Sequence, residues 1–224
     1  MDTVGVMDFL PPDEDRAAVR HRQPQTPSGD GFTVVPANEA SWEDIRAVFG
    51  SRGAAAQCYC QRYKLRPRES FASSPVEERA DRLRQQTDCG HPGSGTTSGL
   101  VGYLDGEPVG WCAVEPRDRY PGLLRNNRVP WADRDEDKHD ASVWAVTCLF
   151  TRAGFRRRGV SRALARAAVE LARAGGARAI EGYPMTTRAI AEELHVGTFD
   201  TFAAAGFREV TRPTPRRVVM RIDF

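Results

Sequence analysis

The sequence predicts one α/β domain built on a mixed sheet of about six to seven strands flanked by helices, and three features carry that prediction. Residues 100–104 and 109–114 are apolar runs on either side of Asp105-Gly106, a dipeptide suited to the two-residue turn of an antiparallel hairpin. Residues 142–151, SVWAVTCLFT, are β-branched and apolar on both faces, as expected of a central strand covered on both sides. That strand runs through a basic loop into a helical stripe and then into another short strand, a crossover that joins parallel neighbours.

Taken in order, the chain begins with Pro11, Pro12, Pro24, Pro27, Ser28 and Gly29 among many charges. Such a composition buries too little apolar surface to offset ordering entropy, so residues 1–30 read as a flexible arm and 31–224 as the domain. Residues 32–35 form the first strand-like run. Ser41 then precedes Trp42, Ile45, Val48 and Phe49 at helical spacing, with Glu43 and Asp44 in the first turn where the helix dipole favours acids. Residues 51–68, which include CYCQRYK, read as irregular. Pro75 opens a helix through Val76, Ala80 and Leu83 that stops before Cys89-Gly90. After the hairpin, residues 115–140 make a polar connection long enough to suggest a functional role. Val160, Leu164, Ala167, Ala168 and Leu171 make one helical stripe, ended by Gly175-Gly176. Residues 177–183 read as a strand, 198–205 as a helix stopped by Gly206, and 207–210 and 218–222 as two last strands around a proline-rich turn.

Composition narrows the function classes. The formal charge of +2 is a small difference between 32 basic and 30 acidic residues, so no whole-protein field points to nucleic acid or to an anionic membrane. No run approaches the roughly 20 apolar residues of a membrane span, and the first residues lack the basic start and apolar core of a secretory signal. A cytoplasmic protein is expected. Five scattered cysteines, Cys58, Cys60, Cys89, Cys112 and Cys148, suit reduced thiols better than a disulfide framework. The abundance of Ala and Arg fits a GC-rich bacterial source.

The chemistry is concentrated in GFRRRGVSR, between the central strand and the helix from Val160. Backbone N–H groups and the positive end of a helix dipole converge at such a turn, which makes it a site for a pyrophosphate. Gly159 allows close backbone approach, and Arg156, Arg157, Arg158 and Arg162 supply charge-assisted donors. A nucleotide-like diphosphate is the expected ligand. Neither of the other common phosphate motifs, G-x-x-x-x-G-K-[ST] or G-x-G-x-x-G, is present near a strand. A solvated helix start is the competing reading.

The run LFTRAGFRRRGVSRALARAAVELARAGGARAIEGYP resembles the acetyl-CoA-binding core of the GNAT superfamily of N-acetyltransferases, in which a strand, an (R/Q)-x-x-G-x-(G/A) loop and a helix follow one another. Arg156, Gly159 and Ser161 fall on the three marked positions, with Ser161 standing where Gly or Ala is usual. FAAAGFREV, residues 202–210, is similar to the family's closing helix and strand start. A narrower likeness is to a bacterial branch with C-x-C, V-T-C and Y-P segments, here Cys58-Tyr59-Cys60, Val146-Thr147-Cys148 and Tyr183-Pro184. The resemblance implies acetyl-CoA as co-substrate. Its pantetheine would bond the backbone at Leu149, Phe150 and Thr151, and its pyrophosphate would meet Arg157, Arg158, Gly159, Val160, Ser161 and Arg162.

It also implies transfer to a primary amine, more often of a small molecule than of a protein, by direct attack in a ternary complex. A non-catalytic acyl-CoA-binding module on the same fold is the alternative, and a monomer or homodimer is expected with no nucleic-acid or membrane partner. Amine attack needs a proton acceptor and a donor for the departing thiolate. Glu115 and Glu181 are the candidate bases, ahead of Asp118, and Tyr183 is the candidate acid. The closing helix has Phe199 and Phe202 where many relatives carry a tyrosine. Cys148 sits where a thiolate could take the acetyl group, although a small buried hydrophobe is the more ordinary role. Cys58, Cys60, Cys89 and His91 include zinc-ligand types but not at common zinc spacings, so no metal is expected. His91, His139 and His195 read as solvated. Trp111 and Trp144 read as core, and Trp131 and Tyr120 as candidate walls of an acceptor pocket, framed by 115–140 and CYCQRYK.

Overall fold

A computed structural model describes residues 31–125, 129–186 and 194–224. The arm expected over 1–30 lies outside them. β1 (Phe32–Pro36) leads to α1 (Trp42–Phe49), whose N-cap Ser41 accepts a hydrogen bond from the Asp44 amide at 3.0 Å. α2 (Gly53–Cys58) and a 3-10 turn (Gln61–Tyr63) follow, then α3 (Val76–Thr87). β2 (Gly99–Leu104) and β3 (Glu107–Pro116) form the hairpin, and α4 (Pro121–Leu124) lies in the connection to β4 (Val143–Thr151). α5 (Val160–Ala174), β5 (Ala179–Gly182), α6 (Phe199–Ala203), β6 (Arg208–Thr214) and β7 (Arg217–Asp223) complete the chain.

The sheet has seven strands in the order β1-β2-β3-β4-β5-β7-β6. Only β4 and β5 are parallel, joined by the α5 crossover, and the other pairs are antiparallel. Asp105 and Gly106 both have positive φ, 51° and 81°, as the expected two-residue turn requires, which lets pairing reach Leu104↔Glu107. The segment 51–68 is more ordered than its composition suggests: Ala54, Ala55 and Ala56 carry α2, being the best helix formers available.

Helices cover both faces. On one face, α5 and α6 bury Leu164, Ala168 and Phe202 against Val146, Leu149, Ile180 and Met220. α5 sits close because β3 presents Gly110, where a Cβ would come within 2.6 Å of Val160 and 2.8 Å of Leu164. On the other face, α1 packs Ile45, Val48 and Phe49 on Val101, Trp111, Ala113 and Cys148. Strand alternation extends this α1 face to Glu115 on β3, Ala145 on β4, Glu181 and Tyr183 beyond it, and Arg217, Val219 and Arg221 on β7. A third cluster, Tyr120, Leu123, Ala145, Tyr183 and Val219, occupies that extension. Truncating a fully buried α5 side chain such as Leu164 costs about 2–5 kcal/mol.

Candidate functional site

The site begins with a mismatch in strand pairing. β4 is paired to β3 along its whole length, from Pro116↔Trp144 to Gly110↔Thr151, whereas its parallel pairing with β5 ends at Val146↔Gly182. Residues 147–151 therefore have no β5 partner, and the two strands part. The break falls beside a bulge in which Thr147 is the extra residue, since Ala113 pairs with Cys148 and Val114 with Val146. Backbone groups of Leu149, Phe150 and Thr151 on that side are placed to pair with an extended ligand as if it were an added strand.

The gap leads to the basic loop. Gly159 is the N-cap of α5 at φ 81°, and Arg157 also has positive φ, 65°, so the chain curls and turns the first amides of α5 outward. The α5 start is anchored by a 3.0 Å hydrogen bond between the hydroxyls of Thr151 and Ser161. Ser161 thus has a structural reason to stand at its motif position. Arg156, Arg157, Arg158 and Arg162 are exposed and, among the described residues, have no carboxylate partner. Arg158 rests on the Phe155 ring. Four uncompensated guanidinium groups around free helix amides can hold a diphosphate.

The α1 face of the gap carries the candidate acid–base groups. Glu115, largely enclosed, is ion-paired with Lys64 of the CYCQRYK segment. Burial pushes its carboxyl above the ordinary range, and the Lys64 charge works against that rise. The Lys64 ammonium also lies 4.4 Å from the centre of the Tyr120 ring. The buried Tyr120 hydroxyl approaches Glu115 and Thr147 without a well-formed hydrogen bond, so a polar group beside the gap stands unsatisfied. Tyr63 lies on the same wall, near Arg217, Cys148 and Cys58, and burial raises its phenol. Of Tyr59, Tyr63, Tyr120 and Tyr183, only Tyr63 is not buried. The Trp111 indole N–H points at Cys60 Sγ, 3.1 Å away. Burial, then the adjoining Cys148, pushes the Cys60 thiol well up, which keeps it protonated.

Two expected catalytic residues are elsewhere engaged. Glu181 has no exposed surface and is ringed by three guanidinium groups: Arg117 at 3.2 Å, Arg221 at 2.8 Å, and Arg134. Both of its oxygens accept hydrogen bonds, so no lone pair is free to take a proton from an amine, and Glu181 is corrected from base to structural anion. Tyr183 is 1% exposed and donates its hydroxyl to Glu181 at 3.0 Å. Burial, then the Glu181 charge, raises its phenol far above its ordinary value. A phenol committed to an internal carboxylate is poorly placed to protonate a thiolate, so Tyr183 is corrected to the same buried network. Phe202 is fully buried on the opposite face, where it covers Gly182.

Among the described residues, no group of three or more His, Cys, Asp or Glu side chains is arranged to hold a metal. His91 pairs with Asp88 at 2.8 Å and is exposed, but His195 is only partly exposed and its Nε2 is enclosed, contrary to the solvated reading. Trp131 is 5% exposed, donates to the Leu123 carbonyl at 3.0 Å, and lies under Arg117, Arg134 and Lys138. It holds the 115–140 connection together rather than lining a pocket. Sequence reasoning did not single out Lys64, Tyr63 or Arg217, which the structure brings to this side of the sheet. CYCQRYK was a visible signal for the first two, whereas nothing in the sequence near Arg217 distinguished it.

The model of a family described as the GNAT acetyltransferase family matches residues 60–195. No curated protein sequence matches the chain. The chain is similar in structure to yncA from Salmonella typhimurium, solved with its cofactor acetyl-CoA, at 12% identity and TM-score 0.50, over 87% of this chain and 94% of that one. It is also similar to a GCN5-related N-acetyltransferase from Kribbella flavida, at 19% identity and TM-score 0.47 over 87% and 98%. A third similar structure is aminoglycoside acetyltransferase AAC(6')-Ib with coenzyme A and kanamycin, at 17% identity and TM-score 0.46 over 86% and 94%. At 12% identity, the likeness to yncA speaks only for the fold. The family match does more, because it spans more than half of the chain and contains the whole of the strand, arginine loop and helix unit around the parted strands. The chain belongs to the GNAT acetyltransferase family.

Proposed function

We propose that the protein transfers the acetyl group of acetyl-CoA to a primary amine of a small molecule. The observation that carries this reading is the unpaired flank of β4 running into a helix start ringed by unpaired arginines. Leu149, Phe150 and Thr151 bond the pantetheine arm. Arg156, Arg157, Arg158 and Arg162, with the amides of Gly159, Val160 and Ser161, bind the pyrophosphate. That places the thioester near the bulge at Thr147, on the same side of the sheet as Glu115.

The amine nitrogen attacks the thioester carbonyl, the new C–N bond forms, and the C–S bond breaks. A β4 amide in the gap donates to the oxyanion. Glu115 takes the amine proton, through a water molecule, and its raised affinity for protons suits that task. Tyr63, partly exposed and near Cys148, returns a proton to the leaving thiolate. Direct attack leaves no covalent role for Cys148.

Thermal unfolding with and without acetyl-CoA tests the coenzyme assignment, in the parent chain and in Arg157→Ala/Arg158→Ala. At a concentration about 100-fold above the dissociation constant, binding adds about 2.7 kcal/mol of stability. A melting shift in the parent that shrinks in the variant is expected, followed by acetylated product in an amine panel. No shift in the parent refutes the reading, and a shift without transfer to any amine favours a non-catalytic acyl-CoA-binding module.

A further inference from the structure

On the α1 face, nearly every buried or half-buried charge is matched. Glu115 is paired with Lys64. The guanidinium groups of Arg117, Arg134 and Arg221 stand against the carboxylates of Glu181, Glu136 and Asp223. Two arginines differ. Buried Arg79 has no carboxylate partner among the described residues but spends its donors on the carbonyls of Gln57, Phe71 and Ser74. Arg217 has neither a carboxylate partner among the described residues nor such a set of carbonyls: its Nη1 lies 3.5 Å from the Tyr183 carbonyl, and its charge reaches the Tyr63 phenol.

Its position is as informative as its charge. Arg217 opens β7 and bridges to Met185, just past the point where β5 leaves β4. On its other side Met185 bridges to Thr198, so Arg217 lies one strand back from the gap, and strand alternation puts it on the α1 face. It shares a face with Val219, which packs with Tyr120, Tyr183 and Ala145. The arginine loop serves α5 on the opposite face of the sheet, so Arg217 is separated from the diphosphate cradle by the sheet itself. A guanidinium has five donors, and a single long bond to one carbonyl leaves its fork free.

Building on acetyl transfer as the reaction, we infer that Arg217 is a specificity-determining residue whose free fork binds a carboxylate on the acceptor, so that the substrate class is amino acids and related amines with a carboxylate near the reacting nitrogen. A planar fork matches a carboxylate through two parallel hydrogen bonds. Glu115, on the far side of the gap, then faces the amine while Arg217 holds the acid group. With Glu115 already neutralised by Lys64, the unliganded wall is net positive. A carboxylate completes its charge balance, and a purely cationic polyamine would not.

The test compares leucine, phenylalanine and lysine, each against its own carboxamide, by kcat/KM with acetyl-CoA, in the full chain and in Arg217→Gln and Arg217→Lys. The carboxamide's amine is less basic and so more available, which means intrinsic reactivity cannot produce a preference for the acid. The parent is expected to favour the free acid by about 10- to 100-fold, the span of a charge-assisted pair. Arg217→Gln should abolish the preference and Arg217→Lys should restore part of it, with the acetyl-CoA melting shift unchanged in both. Equal use of acid and carboxamide by the parent overturns the inference, as does a preference that survives in Arg217→Gln. Either result leaves acetyl transfer standing, since that reading rests on the coenzyme shift and not on Arg217.

Discussion

Replacing Glu181 by Gln separates a structural anion from a catalytic base. Glu181 is 0% exposed and holds Arg117, Arg134 and Arg221 around it, with side-chain exposures of 0%, 3% and 9%. The Glu181→Gln side chain would keep the shape but leave those three cations with Glu136 and Asp223 as their only counter-charges, both more exposed. Removing one partner of a buried ionic network costs about 3–5 kcal/mol, because the remaining charge stays desolvated. In urea, with a slope near 3 kcal/mol/M for a domain of this size, the midpoint should fall by about 1–1.7 M at constant slope. The melting temperature should fall by about 6–20 °C, taking 2–4 °C per kcal/mol. Acetyl transfer, measured well below the new transition, should keep its pH profile. A loss under about 1 kcal/mol would show that water reaches the network and that the burial argument fails. A large fall in kcat at unchanged stability would return Glu181 to the reaction.

Glu115→Gln should lower kcat by about 10²- to 10⁴-fold. In the parent, activity should rise with pH through a limb above the ordinary carboxylate range, because burial raises Glu115 more than Lys64 lowers it. Lys64→Met removes the lowering influence and should move that limb to higher pH, and a limb that stays put refutes the assignment. Cys148→Ala should retain kcat within about threefold, and mass spectrometry of the parent under turnover should find no acetyl on Cys148; a kinetically competent adduct there would refute direct attack. Burial works against ionised Glu136, yet Arg134 and Arg117 outweigh it and hold the carboxyl at about 2, below its usual 4.5. A depressed folded-state value contributes stability that is full above the unfolded value and is lost as pH falls from there toward about 2. Glu136→Gln should flatten that part of the stability curve, and an unchanged acid transition would show the ion pairs to be idle.

The fold was legible because its signals are local. Asp105-Gly106 determines a turn through its own backbone preferences, the β4 run is apolar on both faces, and α5 carries a complete amphipathic stripe with glycines at its end. The arginine loop proposed to hold the diphosphate was legible for the same reason, since its amides, glycine and arginines are contiguous. The wall proposed as catalytic was not, because its members come from the CYCQRYK segment, β3, the 115–140 connection and β7, and only the register brings them together. Glu181 and Tyr183 illustrate the difficulty. Glu181 lies on the strand after α5 as read and Tyr183 one residue past its end, but whether a carboxylate is a base or an anchor depends on what surrounds it. Arg117, Arg134 and Arg221 are far apart in sequence and meet only in the fold.

Buried arginines in this chain are satisfied from within, and Arg79 is satisfied by the carbonyls of Gln57, Phe71 and Ser74. Arg117, Arg134 and Arg221 are buried, and each has a carboxylate at hydrogen-bond distance, as the cost of desolvating a guanidinium requires. Their work is finished within the protein: they tie the 115–140 connection to β5 and β7 and so fix the wall that holds Glu115 and Tyr120. Arg156, Arg157, Arg158 and Arg162 need no internal partner while solvated, and they flank the free amides at the start of α5, which also favour an anion. Arg217 lies between these cases, half-enclosed like the first group and uncompensated like the second. A half-enclosed cation without a counter-charge loses hydration without recovering it internally. An arriving anion would restore the balance, and the proposed anion is the acceptor's carboxylate.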